Sequence, residues 1–317
     1  MTRYLATRLL QGLFVLWAAY TLSFLILYLL PGDAAAIQAG GAENGGVDPE
    51  LVERLRAEYG LDRPLWEQYL TALGRAVALD FGSSTQSGTA ATATVAAVLP
   101  QTFALAATAL PLAVVFGVAL AVASTFARWR WLRQALSALP PLGVSVPGFW
   151  LGLLLLQVFS FRLQLFPSMG NEGWPSLVLP AVALAIPTGA FIAQILARSL
   201  RQTLEQPYIE LVRAKGASSA RVHFGHALQN AAIPTLTLTG VLVGQLLAGT
   251  VVTETVFSRI GVGRLVVSAV NSRDIPVVQT IVVFAALVFV LTSLAVDLLY
   301  PLVDRRISAA GASLVSA

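Results

Sequence analysis

The residues of this chain that could carry out specific chemistry lie mainly in a polar, basic segment at positions 208–234. Within it, Glu210, Arg213 and Ala214 are three and four positions apart, a spacing that puts their side chains on one face of a helix. Gly216 then stands where a helix commonly ends in a left-handed conformation. Charge alone supports two interpretations: a docking surface for a soluble partner, or an ordinary basic loop.

Motifs for covalent catalysis or nucleotide hydrolysis are absent from the sequence. It contains no Walker A pattern, no Gly-x-Ser-x-Gly and no His-Glu-x-x-His. Without a cysteine, it also lacks a thiol nucleophile, a disulfide framework and a cysteine-ligated metal. His223 and His226 lie close together with no third nitrogen ligand, so they indicate no metal site. We therefore expect no catalytic residue, and a membrane-embedded hydrolase has no nucleophile, base or metal to support it.

The composition is that of a protein embedded in a bilayer. Hydrophobic residues make up 56% of the chain, charged residues only 11%, and the mean hydropathy is +0.76, whereas a soluble domain carries about 25% charged residues. The net charge of +4 does not indicate nucleic-acid binding, because the basic residues follow the membrane topology rather than form one patch. These features predict an all-α integral membrane protein surrounded by lipid.

Six charge-free apolar runs are long enough to cross a hydrocarbon core about 30 Å thick, which needs about 20 helical residues. The third run contains Pro140, Pro141 and Pro147, which neighbouring helices can accommodate. The first run could instead be a cleaved signal peptide, but it is longer than the usual apolar core of about 7–15 residues, so we predict a membrane anchor. The predicted transmembrane helices are 9–30, 103–126, 135–161, 174–197, 231–252 and 276–296.

Lysine and arginine predominate in the short segments on one side of the predicted spans, whereas the longer segments on the other side are acidic overall. By the positive-inside rule, the basic side is cytoplasmic, and an even number of spans places both termini there. Glu254, at the outer end of the fifth span, is expected to line an entrance.

The longest extramembrane stretch, 31–101, is predicted to be a small helical segment outside the cytoplasm. Asp48-Pro49 has the residue types of a helix start, and Gly60 is the residue type of a helix end. A second short helix is predicted at Leu61–Leu73, opening at Pro64. The predicted organisation is an N-terminal transmembrane helix (1–30), the extracytoplasmic segment (31–101), a five-helix core (102–304) with a cytoplasmic loop at 198–230, and a cytoplasmic tail (305–317).

The segment around Gly216 is similar to a motif of a known family. Glu210-Leu-Val-x-x-x-Gly216, followed by His226-Ala-Leu-x-Asn230 and Ile233-Pro234, resembles the EAA loop of ABC importer permeases, specifically of the dipeptide, oligopeptide and nickel permease family. Leu211 and Val212 depart from the family's usual alanines without removing the helix or its glycine. Further matches, in order along nearly the whole chain, are Leu29-Leu-Pro-Gly-Asp33, Ser145-Val-Pro-Gly-Phe-Trp-Leu-Gly152, Thr253-Glu-Thr-Val-Phe257 and Arg273-Asp-x-Pro276-Val-Val-Gln279.

The resemblance implies the type I ABC importer permease fold and a subunit that carries no cofactor of its own. The implied partners are a second homologous permease, two ATPase subunits that bind ATP and Mg²⁺, and an extracytoplasmic solute-binding protein, all at a bacterial cell membrane. Substrates of the family include peptides, nickel or metal–opine chelates, and glutathione. The residues predicted to couple this chain to the ATPases are Tyr208, Glu210, Arg213, Ala214, Lys215, Gly216, His226, Asn230 and Pro234.

An ion-coupled secondary transporter is the alternative from a different functional class. Such a carrier needs charged partners inside the membrane and usually an internal repeat. The apolar runs of this sequence show neither. We therefore predict a path for solute that is driven by an external motor.

Overall fold

The computed structural model describes residues 2–29, 50, 53, 63–237 and 239–303. Within them the chain consists of helices and loops, with one isolated antiparallel bridge between Ser83 and Ala90. The helices, numbered in chain order, are α1 (Thr2–Leu29), α2 (Leu65–Val77), α3 (Ala91–Phe126), α4 (Arg130–Ser145), α5 (Gly148–Leu155) with a π-helical continuation (Leu156–Arg162), α6 (Pro175–Leu204), α7 (Pro207–Ala214), a second π-helical segment (Arg221–Ala227), α8 (Leu228–Thr237), α9 (Thr239–Val256), α10 (Val262–Asn271) and α11 (Ile275–Val303).

Four helices, α1, α3, α6 and α11, are long and apolar enough to cross a membrane. They coincide with the first, second, fourth and sixth predicted spans, because an apolar run in lipid satisfies its backbone polar groups by forming a helix. α3 has 36 residues, which corresponds to a length of about 54 Å. It begins at Ala91 rather than at position 103, so the expected boundary between residues 101 and 102 falls inside this helix.

The third predicted span is broken rather than continuous. The third span consists of α4 followed by α5 and its π-helical continuation, which together are long and apolar enough to cross a membrane. The two parts are bent by 103° relative to each other at the break between them. Val146 at the break has extended backbone angles (φ −76°, ψ 124°), as expected for a residue before proline, because the ring of Pro147 disfavours helical geometry there. Pro140 and Pro141, the other candidate interruptions, lie inside α4.

The fifth predicted span, 231–252, corresponds to α8 and α9. The apolar part of α9, Val241–Val256, is shorter than a full crossing. The described residues therefore contain four long apolar helices, or five when the bent pair counts as one span. The count of six spans stays a prediction.

The segment between the first two long helices contains the second of its two predicted short helices. α2 begins directly after Pro64 and ends at Val77, one turn beyond the predicted end at Leu73. The first predicted short helix, from Asp48 to Gly60, lies outside the described residues except for positions 50 and 53, and so does the tail at 305–317.

One compact unit comprises residues 1–100 and 264–290. In it, the Thr21 hydroxyl of α1 lies 2.8 Å from the Tyr69 hydroxyl of α2, and the rings of Phe24 and Tyr69 meet edge-on with centroids 5.3 Å apart. Ser84 donates its hydroxyl hydrogen to the carboxylate of Asp274. These contacts attach α2 to α1 and the loop before α3 to the start of α11.

The second compact unit comprises residues 101–263 and 291–317 and is packed through small residues. A Cβ on Gly117 would collide with the carbonyl oxygen of Gly189, and a Cβ on Gly189 with that of Ala113. α3 and α6 therefore approach more closely than larger side chains would permit. Gly143 of α4 is equally close to Ala190 of α6, so α6 forms the centre of this unit.

Candidate functional site

The short helix α7 has one fully buried side chain, which is its main anchor. Gln206 before it is extended, and Pro207 occupies the first helical turn, where its missing N–H would have no helical partner anyway. Ile209 is fully buried in a cluster with Leu200 of α6 and Val222 of the second π-helical segment. Burial of one isoleucine contributes about 1.5–3 kcal/mol, which helps to hold a helix too short to be stable alone.

Gly216 ends α7 in the way that the sequence predicts. Its φ of +83° lies in the left-handed region, which glycine adopts without strain. The Gly216 N–H donates to the carbonyl of Arg213 (2.9 Å), and the Ala217 N–H donates to the carbonyl of Val212 (3.3 Å). This pair of bonds is the Schellman motif. It satisfies carbonyls at the end of α7 and turns the chain sharply away.

The side of α7 that faces away from the core combines charge with apolar area. Tyr208 is 39% exposed and Leu211 is 57% exposed. Aromatic and apolar side chains surrounded by polar groups are typical of protein–protein interfaces. We use the name docking surface for seven exposed residues of α7 and its C-terminal turn, namely Tyr208, Glu210, Leu211, Arg213, Ala214, Lys215 and Gly216.

The second half of the predicted motif lies beside the first half. The Asn230 side-chain amide donates to the Tyr208 hydroxyl (3.2 Å) and to the backbone carbonyl of His226 (2.9 Å). These bonds connect α7 with the start of α8. Pro234 lies one turn further along α8, and within the described residues it makes no hydrogen bond to α7.

The sequence does not reveal the environments of two residues in this region, Leu211 and His223. In the sequence, Leu211 is only a departure from the usual alanine of the motif, whereas in the structure it is the most exposed large apolar residue of α7. Its neighbour Val212 is half-buried against the core cluster. His223, rather than His226, is the histidine that the core encloses.

His223 is 4% exposed, and its Nε2 lies 2.9 Å from the Thr125 hydroxyl of α3. Its ring meets that of Phe126 edge-on, with centroids 5.2 Å apart. Burial lowers the pKa of His223, because the charged imidazolium would lose its hydration. No local sequence pattern distinguishes it from His226, since its partner Thr125 is 98 positions away.

Glu254 does not line an entrance in this structure, contrary to the prediction. Its side chain, near the end of α9, is 1% exposed. One carboxylate oxygen accepts from the Thr102 hydroxyl and the other from the Gly263 N–H, both at 2.7 Å. The Val262 N–H donates in turn to the Thr102 hydroxyl oxygen (2.8 Å). The carboxylate therefore caps the positive N-terminus of α10.

Arg259 is a second buried charge that the sequence did not indicate. It is 2% exposed, and its Nη1 donates to the carbonyls of Gly170 (3.0 Å) and Ser176 (2.8 Å). Burial lowers the pKa of Arg259, and the nearby charge of Glu254 acts in the opposite direction. We use the name Glu254 network for the group that holds this loop, which consists of Thr102, Glu254, Arg259 and Gly263.

The two regions differ in what they can do chemically. Within the described part of the chain, no three His, Asp or Glu side chains are grouped closely enough to hold a metal ion. The docking surface offers exposed charge and apolar area for contact with another protein. The Glu254 network offers a rigid connection between helix ends.

Comparison with known proteins identifies the family. Residues 113–309 match the family described as binding-protein-dependent transport system inner membrane component, and residues 1–106 match its N-terminal region. The glutathione transport system permease protein GsiC of Escherichia coli K12 is 36% identical over 307 residues, which cover 97% of this chain and 99% of GsiC. A putative peptide transport system permease protein of Brucella suis biovar 1 is 36% identical over 315 residues, with 97% and 99% covered.

The fold is shared with a solved transporter. An inward-facing structure of the MetNI methionine ABC transporter matches with a TM-score of 0.56 and 19% identity, over 67% of this chain and 96% of that chain. Together with the family match, the relatives confirm the predicted importer permease and argue against the ion-coupled alternative. The chain therefore belongs to the family of binding-protein-dependent transport system inner membrane components, and it is a multi-pass permease subunit of a bacterial ABC importer.

Proposed function

We propose that the chain forms one half of a translocation path for peptides or related small solutes, with glutathione and nickel or metal–opine chelates as further candidates. The other half is a second homologous permease, and an extracytoplasmic solute-binding protein delivers the solute. Two ATPase subunits bind ATP and Mg²⁺ and drive the cycle, while this chain hydrolyses no nucleotide itself. The names of two relatives, a glutathione and a peptide transport permease, support glutathione and peptides as candidate solutes.

The docking surface is the observation that carries the proposal. α7 is attached to the core mainly through Ile209, and its exposed face places Tyr208 and Leu211 among charged side chains. A short helix presented in this way fits a groove on a soluble subunit. The importer needs such a subunit, since the sequence contains no nucleotide-binding motif of its own.

The core beneath the docking surface supports a route for movement. Ile209 belongs to the same buried cluster as Ala121 of α3, Leu200 of α6 and Ala231 of α8. A push on α7 reaches these three helices through close-packed side chains, because protein interiors are barely compressible. Closure of the ATPases on ATP then tilts the helices, and hydrolysis lets them return.

Coupling to ATPases requires α7 and both termini to face the cytoplasm, an orientation that the distribution of basic residues supports. The chain has no cysteine, so a single introduced cysteine can be labelled without background. Lys215→Cys should react with a membrane-impermeant maleimide only after spheroplasts are opened. Glu172→Cys, in the exposed segment before α6, should react in intact spheroplasts. Labelling of Lys215→Cys in intact spheroplasts contradicts the proposed orientation.

Two glycines allow coupling to be tested separately from backbone strain. Gly216 (φ +83°) and Gly88 (φ +69°) are both left-handed, and both have open space where a Cβ would lie. In the reconstituted transporter, Gly216→Asp should abolish ATP-driven uptake of dipeptide or glutathione, whichever the wild type accepts. Gly88→Asp, in the loop before α3, should leave most of that uptake. Normal uptake by Gly216→Asp contradicts the docking role, and equal losses in both variants indicate strain instead.

Nucleotide hydrolysis provides a direct test of the division of labour. The purified chain alone should show no ATPase activity, whereas the complex with both ATPase subunits should hydrolyse ATP. Robust hydrolysis by the isolated chain, at a rate proportional to its concentration, contradicts the assignment of that activity to partner subunits.

A further inference from the structure

A cleft of about 740 Å³ lies at the end of the apolar helices, next to the docking surface. The end of α3, the first half of α4, the end of α6 and helix α7 form its walls. Three arginines line it, Arg133, Arg201 and Arg213, together with one carboxylate, Glu205. Three positive charges against one negative charge leave an excess of two positive charges in the cleft.

Among the described residues, the three arginines of the cleft have no hydrogen-bond acceptor. Their guanidinium groups form no hydrogen bond or ion pair within the described residues. Arginines near a helix C-terminus often donate to its last carbonyls, and Arg201 and Arg213 both lie in the last turns of their helices. Neither makes such a bond here. Donors that line one cleft without an acceptor are available to an external anion.

The position of the cleft corresponds to the depth of lipid headgroups. α3 ends at Phe126, and the charge-free part of α6 ends before Arg198, so two apolar helices leave the hydrocarbon core here. Just before Arg133, the rings of Trp129 and Trp131 stack with centroids 6.2 Å apart and an interplanar angle of 12°. These rings are 62% and 65% exposed. Tryptophan is enriched at this level, where its ring contacts both lipid and water.

A phosphate group is the anion that fits this setting best. Guanidinium groups bind phosphate oxygens through pairs of parallel hydrogen bonds, and basic pockets between membrane helices bind anionic lipid headgroups. The volume of about 740 Å³ lies within the range of small-ligand pockets. We propose that the cleft binds the phosphate headgroup of an anionic phospholipid, with Arg133 and Arg201 as its main contacts.

Bound lipid would connect the membrane surface with the docking surface. Arg213 belongs to both the cleft and α7, so a headgroup in the cleft bridges α4, α6 and α7. It limits how far α7 can move from the bilayer. This consequence rests on the proposed docking role of α7, whereas lipid binding itself does not.

The binding experiment uses the full-length chain in a mild detergent, with phosphatidylglycerol or cardiolipin added and retained lipid counted by native mass spectrometry. Each arginine near an anionic lipid surface contributes about 1 kcal/mol, so the double variant Arg133→Gln/Arg201→Gln should bind these lipids roughly tenfold to thirtyfold more weakly. The matched control is Arg128→Gln/Arg198→Gln, which removes two exposed arginines that do not line the cleft. The control should lose clearly less lipid than the double variant, because its arginines act only as general surface charge, and phosphatidylcholine should not be retained.

A second variant guards against a folding defect in the double variant. Ser137 also lines the cleft, and Ser137→Glu should weaken anionic lipid binding by repulsion while leaving every arginine in place. The unfolding midpoint, followed by tryptophan fluorescence, should be the same for all variants.

Three outcomes overturn the proposal. Equal lipid loss in the double variant and its control would mean that only general surface charge attracts the lipid. Displacement of lipid by millimolar pyrophosphate, with the same arginine dependence, would assign the cleft to a soluble phosphate compound. Unchanged lipid retention combined with loss of the ATPase subunits from the double-variant complex would assign it to a protein interface.

Discussion

The docking surface and the Glu254 network use charged side chains in opposite ways. In the network, Glu254 and Arg259 are almost completely buried, and each is hydrogen-bonded to at least two other groups. On the docking surface, Glu210, Arg213 and Lys215 are exposed. Their side chains make no hydrogen bond or ion pair with other described residues.

This difference separates a part of the molecule that keeps one geometry from a part that can receive a partner. A buried charge loses several kcal/mol of hydration, which only nearly complete pairing offsets. The network is therefore stable in one arrangement. Exposed charges keep their hydration and can pair with complementary charges on another subunit. Substitutions should change stability in the network and transport at the docking surface.

The largest effect is expected for Glu254→Ala. This substitution leaves the Thr102 hydroxyl and the Gly263 N–H without their acceptor and removes the carboxylate charge near the buried Arg259. Each buried donor left without an acceptor costs about 1–3 kcal/mol, so the free energy of unfolding, measured in a titration with sodium dodecyl sulfate, should fall by about 2–6 kcal/mol. The control Glu210→Ala, at an exposed carboxylate, should change it by less than about 0.5 kcal/mol. Similar losses in the two variants would remove the distinction between the two regions.

Gly261→Ala should produce the next largest loss, because its Cβ would overlap the carboxylate of Glu254. Overpacking of a buried site costs about 1–3 kcal/mol. The loss should largely disappear when Gly261→Ala is made in the Glu254→Ala background, since the overlapping atoms are then absent. At Gly216 a Cβ would lie in open space, but the φ of +83° is unfavourable for alanine. Gly216→Ala should therefore lower the free energy of unfolding by about 1 kcal/mol, and this loss should add to that of Glu254→Ala. If the losses of Gly261→Ala and Glu254→Ala instead add up in the double variant, the predicted overlap between Cβ and carboxylate does not cause the loss.

The buried His223 beneath the docking surface should make stability depend on pH. Because burial lowers its folded pKa below the ordinary value of 6.5, the unfolded chain binds a proton first as the pH falls. Stability is therefore complete above 6.5 and is lost as the pH falls through 6.5 towards the lower folded pKa. His223→Gln should reduce this loss in unfolding titrations between neutral and acidic pH. The pH dependence should persist in His226→Gln, and an unchanged profile in His223→Gln would assign it to other groups.

The smallest effect is expected for Arg75→Gln, which removes an exposed ion pair. Arg75 Nε lies 2.9 Å from the Asp80 carboxylate, and both side chains are more than half exposed. The hydrogen bond from Arg75 is the main reason why the pKa of Asp80 lies below its ordinary 3.8. The resulting stability is present above pH 3.8 and is lost as the pH falls towards the lower folded value. At neutral pH the substitution should cost less than about 1 kcal/mol, and a loss as large as that of Glu254→Ala would contradict the comparison.

Local signals allowed much of the fold to be predicted. Charge-free apolar runs indicated the positions of α1, α3, α6 and α11, because lipid permits little else than a helix over such a length. Pro64 marked a helix start, and Gly216 marked a helix end. Each of these residues acts on the backbone of its immediate neighbours.

The break between α4 and α5 shows where local signals become insufficient. Pro140, Pro141 and Pro147 were all possible positions for an interruption, yet Pro140 and Pro141 lie inside α4 and the helix ends before Pro147. Pro140 is buried, and Gly143 packs closely against Ala190 of α6. Packing of this kind can compensate for the hydrogen bonds that a proline removes from a helix, and it cannot be read from the sequence of α4 alone.

By itself, the sequence determined that this chain spans a bilayer, contains no Walker A motif and carries a short polar helix that ends at Gly216. Those properties depend on composition and on residues a few positions apart. The tertiary structure decided that Leu211 is exposed while Glu254 and Arg259 are buried. Their partners lie 152 positions away at Thr102 and 83 positions away at Ser176. Only tertiary packing brings such distant groups together. A buried charge is stable only where hydrogen-bonding partners surround it.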